Sequence, residues 1–200
     1  MSYPKIAEVI KQAVSLKKGN YLVFFPSYDF MQNVNVFLGG IALEKILQKP
    51  GMKDADREQV LTQLREKNSA YILCAVMGGI FSEGVDYNGS MAIGVIVISP
   101  ALPKVSYERE LLNRYYQEKN GSGEAYAYLY PGMNKVIQAV GRLIRSYSDK
   151  GIILLIGERF ADETFNILLP DYWIDKKDDL VITNNYKKEI KSFWKKVDKN

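Results

Sequence analysis

Apolar residues recur at helical spacing near the start of the chain. Ile6, Val9, Ile10, Ala13 and Val14 follow Pro4 and stop before Gly19. That pattern predicts an amphipathic helix with a proline-marked start and a glycine-marked end. Tyr21-Leu22-Val23-Phe24-Phe25 then runs without a polar break between Asn20 and Pro26. A short uninterrupted apolar run predicts a strand buried on both faces, as in a parallel sheet. Tyr71 to Val76, Ile93 to Ile98 and Ile152 to Ile156 read the same way. Helical patterns lie over 28–38, 54–67, 106–119, 132–146 and 159–167. Short apolar strands alternating with helices predict an α/β domain with a mainly parallel sheet. Function in such sheets gathers on the loops at the strands' carboxyl ends, here those after Phe25, Val76, Ile98 and Ile156.

Composition narrows the chemistry. The 200 residues contain no histidine and one cysteine, Cys74. Ser-His-Asp triads, Cys-His dyads, His-based metal sites, intrachain disulfides and self-contained iron–sulfur clusters are therefore excluded. The longest apolar stretch, Tyr71 to Phe81, has eleven residues, two of them glycine. A membrane span needs about twenty. With no export pattern at Met1-Ser2-Tyr3-Pro4, the cytoplasm is the expected compartment. The net charge of +4 sits in residues 185–200, which hold six lysines and two acids and leave the remainder neutral. We read 1–184 as one domain and 185–200 as a basic C-terminal helix or tail that favours polyanions non-specifically.

Three local constellations carry candidate chemistry. Pro26-Ser27-Tyr28 follows the first strand, where the Ser27 hydroxyl can cap a helix or help hold a phosphate. Gly78-Gly79-Ile80-Phe81-Ser82-Glu83-Gly84-Val85-Asp86 follows the second. Its glycines permit positive φ or close approach of a ligand. Glu83 and Asp86 bring carboxylates that suit a ribose hydroxyl, a metal-bound water or a basic partner. No Gly-Lys-Ser/Thr of a Walker A loop occurs in the chain. The third is Gln138-Ala139-Val140-Gly141-Arg142-Leu143-Ile144-Arg145. On a continuous helix Gln138, Arg142 and Arg145 fall within about 60° of one another. Met133, Val136, Ile137, Val140, Leu143 and Ile144 face the other way. No carboxylate lies among the three polar residues in this stretch, and two unpaired guanidiniums suit a phosphate. Gly141 suggests close approach by another backbone, since glycine otherwise costs about 1 kcal/mol in a helix interior.

These elements in this order resemble the second motor domain of superfamily 2 helicases of the XPD/DinG type. The resemblance runs through FFPSY, GGIFSEGVD, SPALP, QAVGRLIRSYSDKG and GERF, over about residues 5–173. It implies a RecA-like α/β fold with a helical excursion before the last motif. It also implies ATP-dependent DNA helicase activity as part of a larger protein. ATP and Mg²⁺ would be bound mainly by a first motor domain carrying Walker A and B motifs, with no metal held by this chain. By position, Gln138, Arg142 and Arg145 match motif VI, whose arginines act as fingers on the γ-phosphate and whose glutamine helps position that site. Glu83, Gly84 and Asp86 match motif V, which links the nucleotide site to bound DNA. Ser27 and Tyr28 match motif IV, near the single-stranded DNA path, and Ser82 is grouped with them. The family commonly carries an acid where Gly157 stands. The first domain, arch insertion and iron–sulfur cysteines are not in this sequence, so it reads as half a motor, an excised domain or a truncated gene product. A 5′-to-3′ polarity is implied by the resemblance alone.

The excursion, 106–130, holds Tyr107, Arg109, Arg114, Tyr115, Tyr116, Lys119 and Tyr126. Aromatics interleaved with cations suit single-stranded nucleic acid, while core packing is the expected fate of most of the tyrosines. Two other readings compete. One is a stand-alone nucleic-acid or protein-binding module without ATPase activity, which would not need the arginine stripe. The other is an unrelated nucleotide-binding α/β protein, which the missing Walker A and Rossmann fingerprints disfavour.

Overall fold

The computed structural model describes residues 1–66, 70–87, 89–143, 149–173 and 180–199. Among the described residues five strands form one sheet: β1 (Tyr21–Phe25), β2 (Glu44–Leu47), β3 (Tyr71–Val76), β4 (Gly94–Ile98) and β5 (Ile152–Ile156). Their order is β2-β3-β1-β4-β5 and every pairing is parallel. The register aligns Phe25 with Val76 and Ile98 with Ile156, so the four loops singled out above share one edge. β1, β3 and β4 coincide with the predicted apolar runs to within one residue, and β5 coincides fully.

Alternation along each strand sends side chains to two cores. Leu22, Phe24, Leu73, Ala75, Val95 and Val97 face one side, packed with α3 (Asp54–Arg65) and α5 (Tyr130–Val140). Tyr21, Val23, Phe25, Ile72, Cys74, Ile96 and Ile98 face the other, with α1 (Tyr3–Val14), α2 (Tyr28–Asn35) and α7 (Tyr186–Val197). Each fully buried Leu or Phe is worth about 2 kcal/mol. At the amino end, buried Asn20 ties three segments together. Its Nδ2 donates to the Leu64 and Met91 carbonyls, and its Oδ1 accepts from Tyr71 N–H.

The structure departs from the sequence reading in four places. β2 was not predicted: Glu44 and Lys45 are exposed and only Ile46 and Leu47 are half-buried, so this edge strand has no apolar run. α5 ends at Val140 rather than 146. The predicted helix over 159–167 is a 3-10 turn, Glu158–Ala161, followed by the single-turn α6 (Glu163–Asn166). Of the tyrosines of the excursion only Tyr128 is buried; Tyr116 is half-buried and Tyr107, Tyr115, Tyr126 and Tyr130 are exposed. α4 (Tyr107–Asn120) buries no side chain, and Tyr107 and Tyr115 are 72% and 55% exposed. α4 packs on the π-helical segment Ala125–Leu129 instead of on the sheet. Arg109 donates to the Ala127 carbonyl, and Tyr128 to Glu110.

The C-terminal helix is anchored. Ile190 and Trp194 are buried against α1, Lys17 pairs with Asp198 and lies 5.5 Å from the Trp194 ring centroid, and Tyr186 hydrogen-bonds Gln12. Its five lysines, and Lys199 just beyond it, are all exposed.

Candidate functional site

Ser27 is the N-cap of α2, and its hydroxyl accepts from Phe30 N–H at 3.2 Å. This is the capping role that a hydroxyl directly before a helix offers. Tyr28 begins the helix, half-buried, and its phenol oxygen accepts from Gln48 Nε2 at 2.9 Å.

The glycine loop leaves β3 through a tight turn. Gly79 N–H donates to Val76 O and Ser82 N–H to Gly79 O. Gly78 and Gly84 adopt φ of +76° and +70°, which disfavour L side chains. Ser82 is buried and its hydroxyl donates to the Gly79 carbonyl at 3.0 Å, so it shapes the turn rather than the surface. Phe81 and Val85 anchor the loop in the core, and Tyr87 donates to the Phe81 carbonyl at 2.8 Å. Glu83 and Asp86 remain exposed. The Glu83 carboxylate and Lys135 of α5 both lean over Gly78, each within 3.8 Å of where a Cβ there would lie.

In the third constellation, Gln138 and Arg142 do not share one continuous helix. Gln138 is exposed on the last turn of α5, and Arg142 lies in the turn 141–143 beyond the helix. Ile144 and Arg145 lie outside the described residues. Gly141 caps α5 with φ −63°, donating to Ile137 O at 2.8 Å. A Cβ there would meet that same carbonyl at 3.0 Å, so its nearest neighbour is its own helix and not another backbone. The close backbone contact falls one residue later, where Tyr87 N–H donates to Arg142 O at 3.4 Å. The tertiary structure also supplies the carboxylate missing from the local sequence: Arg142 Nη1 lies 3.3 Å from Asp86 Oδ1. Burial raises the Tyr87 phenol pKa, and the positive charges of Arg57 and Arg142 oppose that rise.

Two features, Gln48 and Ser99, had no clear sequence signal. Gln48 reaches from the end of β2 to both Tyr28 and Val76. Ser99, after β4, is the one non-glycine residue with positive φ, +59°, among those described, and its N–H donates to Ile156 O. Gly157 beside it has φ +148°, and a Cβ there would stand 3.5 Å from Ser99 Cα. An acidic residue at this position would need a strained backbone. Among the described residues no group of three or more Cys, Asp or Glu is placed to hold a metal ion, and no helix is long and apolar enough to cross a membrane.

Residues 10–176 match the helicase C-terminal domain family, and the chain belongs to that family. Within it, the chain is a C-terminal domain of the XPD/DinG type. It is 28% identical over 197 residues to the ATP-dependent DNA helicase CHL1 of Debaryomyces hansenii, covering 86% of this chain and 24% of that protein. It is 26% identical over 162 residues to the ATP-dependent DNA helicase XPD of Sulfolobus acidocaldarius, covering 79% and 28%. A solved XPD helicase superposes with a TM-score of 0.66 at 22% identity, over 82% of this chain and 29% of that one, and bears out the RecA-like fold. The chain thus spans about a quarter of the length of these relatives.

Proposed function

We propose that this domain is the second motor half of an ATP-dependent DNA helicase. It supplies arginine fingers to ATP held with Mg²⁺ mainly by a first motor domain, and part of the track for single-stranded DNA. The observation that carries the reading is the joint between Arg142 and the 78–86 loop. Arg142, in the turn after α5, is bonded through its guanidinium to Asp86 and through its main-chain carbonyl to Tyr87.

In phosphoryl transfer, charge spreads over the γ-phosphate oxygens, and a forked guanidinium stabilises it. Arg142 is partly exposed, so it can exchange the Asp86 carboxylate for phosphate without leaving a buried charge. Arg145 acts beside it, and Gln138 orients the site. Asp86 then becomes the relay: freed from Arg142 when nucleotide arrives, it alters the loop that also carries Glu83 and Gly84. Ser27 and Tyr28 border the DNA path at the neighbouring strand end. Ser82 contributes by holding the loop's shape.

ATPase assays on the purified chain test the reading. Alone, it should show no DNA-stimulated turnover, because a phosphate cradle and a held Mg²⁺ are needed and are assigned to the other domain. Turnover by the isolated chain that disappears in Arg142→Ala would overturn the division of labour.

A further inference from the structure

We infer that Gln48 is a positioning residue for the DNA-facing edge: its carboxamide holds Tyr28 at fixed spacing from the turn after β3. The inference rests on the proposed DNA role of Tyr28.

Gln48 is 2% exposed, one of three buried polar side chains among the described residues. A buried amide is costly unless hydrogen-bonded, and this one is bonded on both sides. Its backbone N–H donates to Cys74 O at 2.9 Å, the last ladder bond between β2 and β3. The chain then turns away at Pro50-Gly51. Val76 N–H, next along β3, therefore needs an acceptor, and Gln48 Oε1 provides it at 3.0 Å. The side chain thus does what one more residue of β2 would have done.

That bond fixes the orientation of the amide, because a backbone N–H can only donate. Nε2 must face the other way, and there it donates to Tyr28 Oη at 2.9 Å. Gly79 completes the joint. A Cβ at Gly79 would lie 2.6 Å from Nε2 and 2.9 Å from Oε1, so only glycine leaves room. One carboxamide therefore links the start of α2, the end of β3 and the glycine turn, and neither loop can shift without breaking a buried bond.

The variants follow from the chemistry. Gln48→Met keeps length and bulk but offers Val76 no comparable acceptor and Tyr28 no donor. Gln48→Glu preserves both links, since a carboxylate accepts from Val76 N–H and from the Tyr28 hydroxyl. Binding of a labelled oligothymidylate to the full 200-residue chain is measured by fluorescence anisotropy, beside amide exchange at Val76 and residues 29–31. Gln48→Met should weaken binding about tenfold, the scale of one or two lost hydrogen bonds, and speed exchange at both places. Gln48→Glu should stay within about threefold of wild type. Gln48→Met combined with Tyr28→Phe should bind no more weakly than the poorer single variant, as expected for residues acting as a unit.

Faster exchange at Val76 alone, with normal affinity, would make Gln48 a packing residue and overturn the inference. Normal affinity in Gln48→Met beside weakened binding in Tyr28→Ala overturns the joint while sparing the DNA role of Tyr28. Normal binding in Tyr28→Ala removes that role and the inference with it.

Discussion

The Arg142 guanidinium and the Asp86 carboxylate meet at 3.3 Å although 56 residues separate them in sequence. The contact joins the turn after α5 to the loop after β3. It shows why an arginine lacking a carboxylate in its own stretch of sequence is still not unpaired in the fold.

Arg142→Ala in a two-domain protein should lower ATP turnover by about 10³-fold or more, the scale of a lost finger. Arg145→Ala should do the same. Stability should fall by less than about 1 kcal/mol in Arg142→Ala, because a partly exposed ion pair contributes little. Arg142→Lys should recover little turnover, since an ammonium cannot reproduce the planar fork. Turnover measured beside Tm decides the matter: near-normal rates in both alanine variants would mean that neither guanidinium reaches phosphate.

Gly79→Ala and Gly78→Ala should differ in kind. At Gly79 the new methyl collides with the Gln48 amide, so overpacking should cost about 1–3 kcal/mol. At Gly78 there is room, with the nearest atom at 3.7 Å, and the cost of about 1 kcal/mol comes from φ of +76°. Amide exchange at Val76 should rise well beyond the global loss of stability only in Gly79→Ala. Equal exchange at Val76 in the two variants would contradict the collision.

The basic helix can be divided into a packing face and a charged face. Trp194→Ala should cost about 3 kcal/mol by emptying a buried site against α1. Changing Lys187, Lys188, Lys191, Lys195 and Lys196 to glutamine should leave Tm within a few degrees. It should also flatten the salt dependence of single-stranded DNA binding. Deleting 185–200 confounds the two effects, because it strips the core as well as the charge. An unchanged salt slope in the glutamine variant would rule out α7 as the source of non-specific affinity.

Alkaline stability should reflect buried acids that stay protonated. Burial pushes the Cys74 thiol up to about 12 from an ordinary 9.0, and raises the phenols of Tyr21 and Tyr87 above 10.0. Each folded-state pKa is raised, so the folded chain holds its protons longer than the unfolded one. The stabilisation is full below about pH 9 and is lost as pH rises toward 12. Thermal melts from pH 7 to 11 should show Tm falling most steeply above pH 9.5, and Cys74→Ala should soften the fall. A Tm that holds level to pH 11 would be incompatible with these groups being buried neutral.

Strands β1, β3 and β4 could be read from the chain because a centrally buried strand must be apolar on both faces, a local property; β5, at the sheet's other edge, was legible because Ile152–Ile156 is also an unbroken apolar run, half-buried in its middle. The same holds for α1, whose buried residues Ile6, Ile10, Ala13 and Val14 recur at helical spacing. The order of the glycine loop and the arginine segment was likewise legible, and with it the family. β2 was hidden because an edge strand needs no apolar run. The end of α5 was misplaced because the apolar pattern continues past Val140 into the turn, where Leu143 is still buried.

Contacts were beyond the sequence for a different reason. That Asp86 reaches Arg142, that Gln48 completes the β3 ladder and clasps Tyr28, and that Tyr107 and Tyr115 of α4 stay in solvent all depend on how loops and helices pack around the parallel sheet. Spacing along the chain specifies the elements, since backbone hydrogen bonding and side-chain periodicity act over a few residues. The partner of a polar side chain is decided by packing across the sheet, where residues tens of positions apart become neighbours and a buried amide must bond to whatever stands beside it.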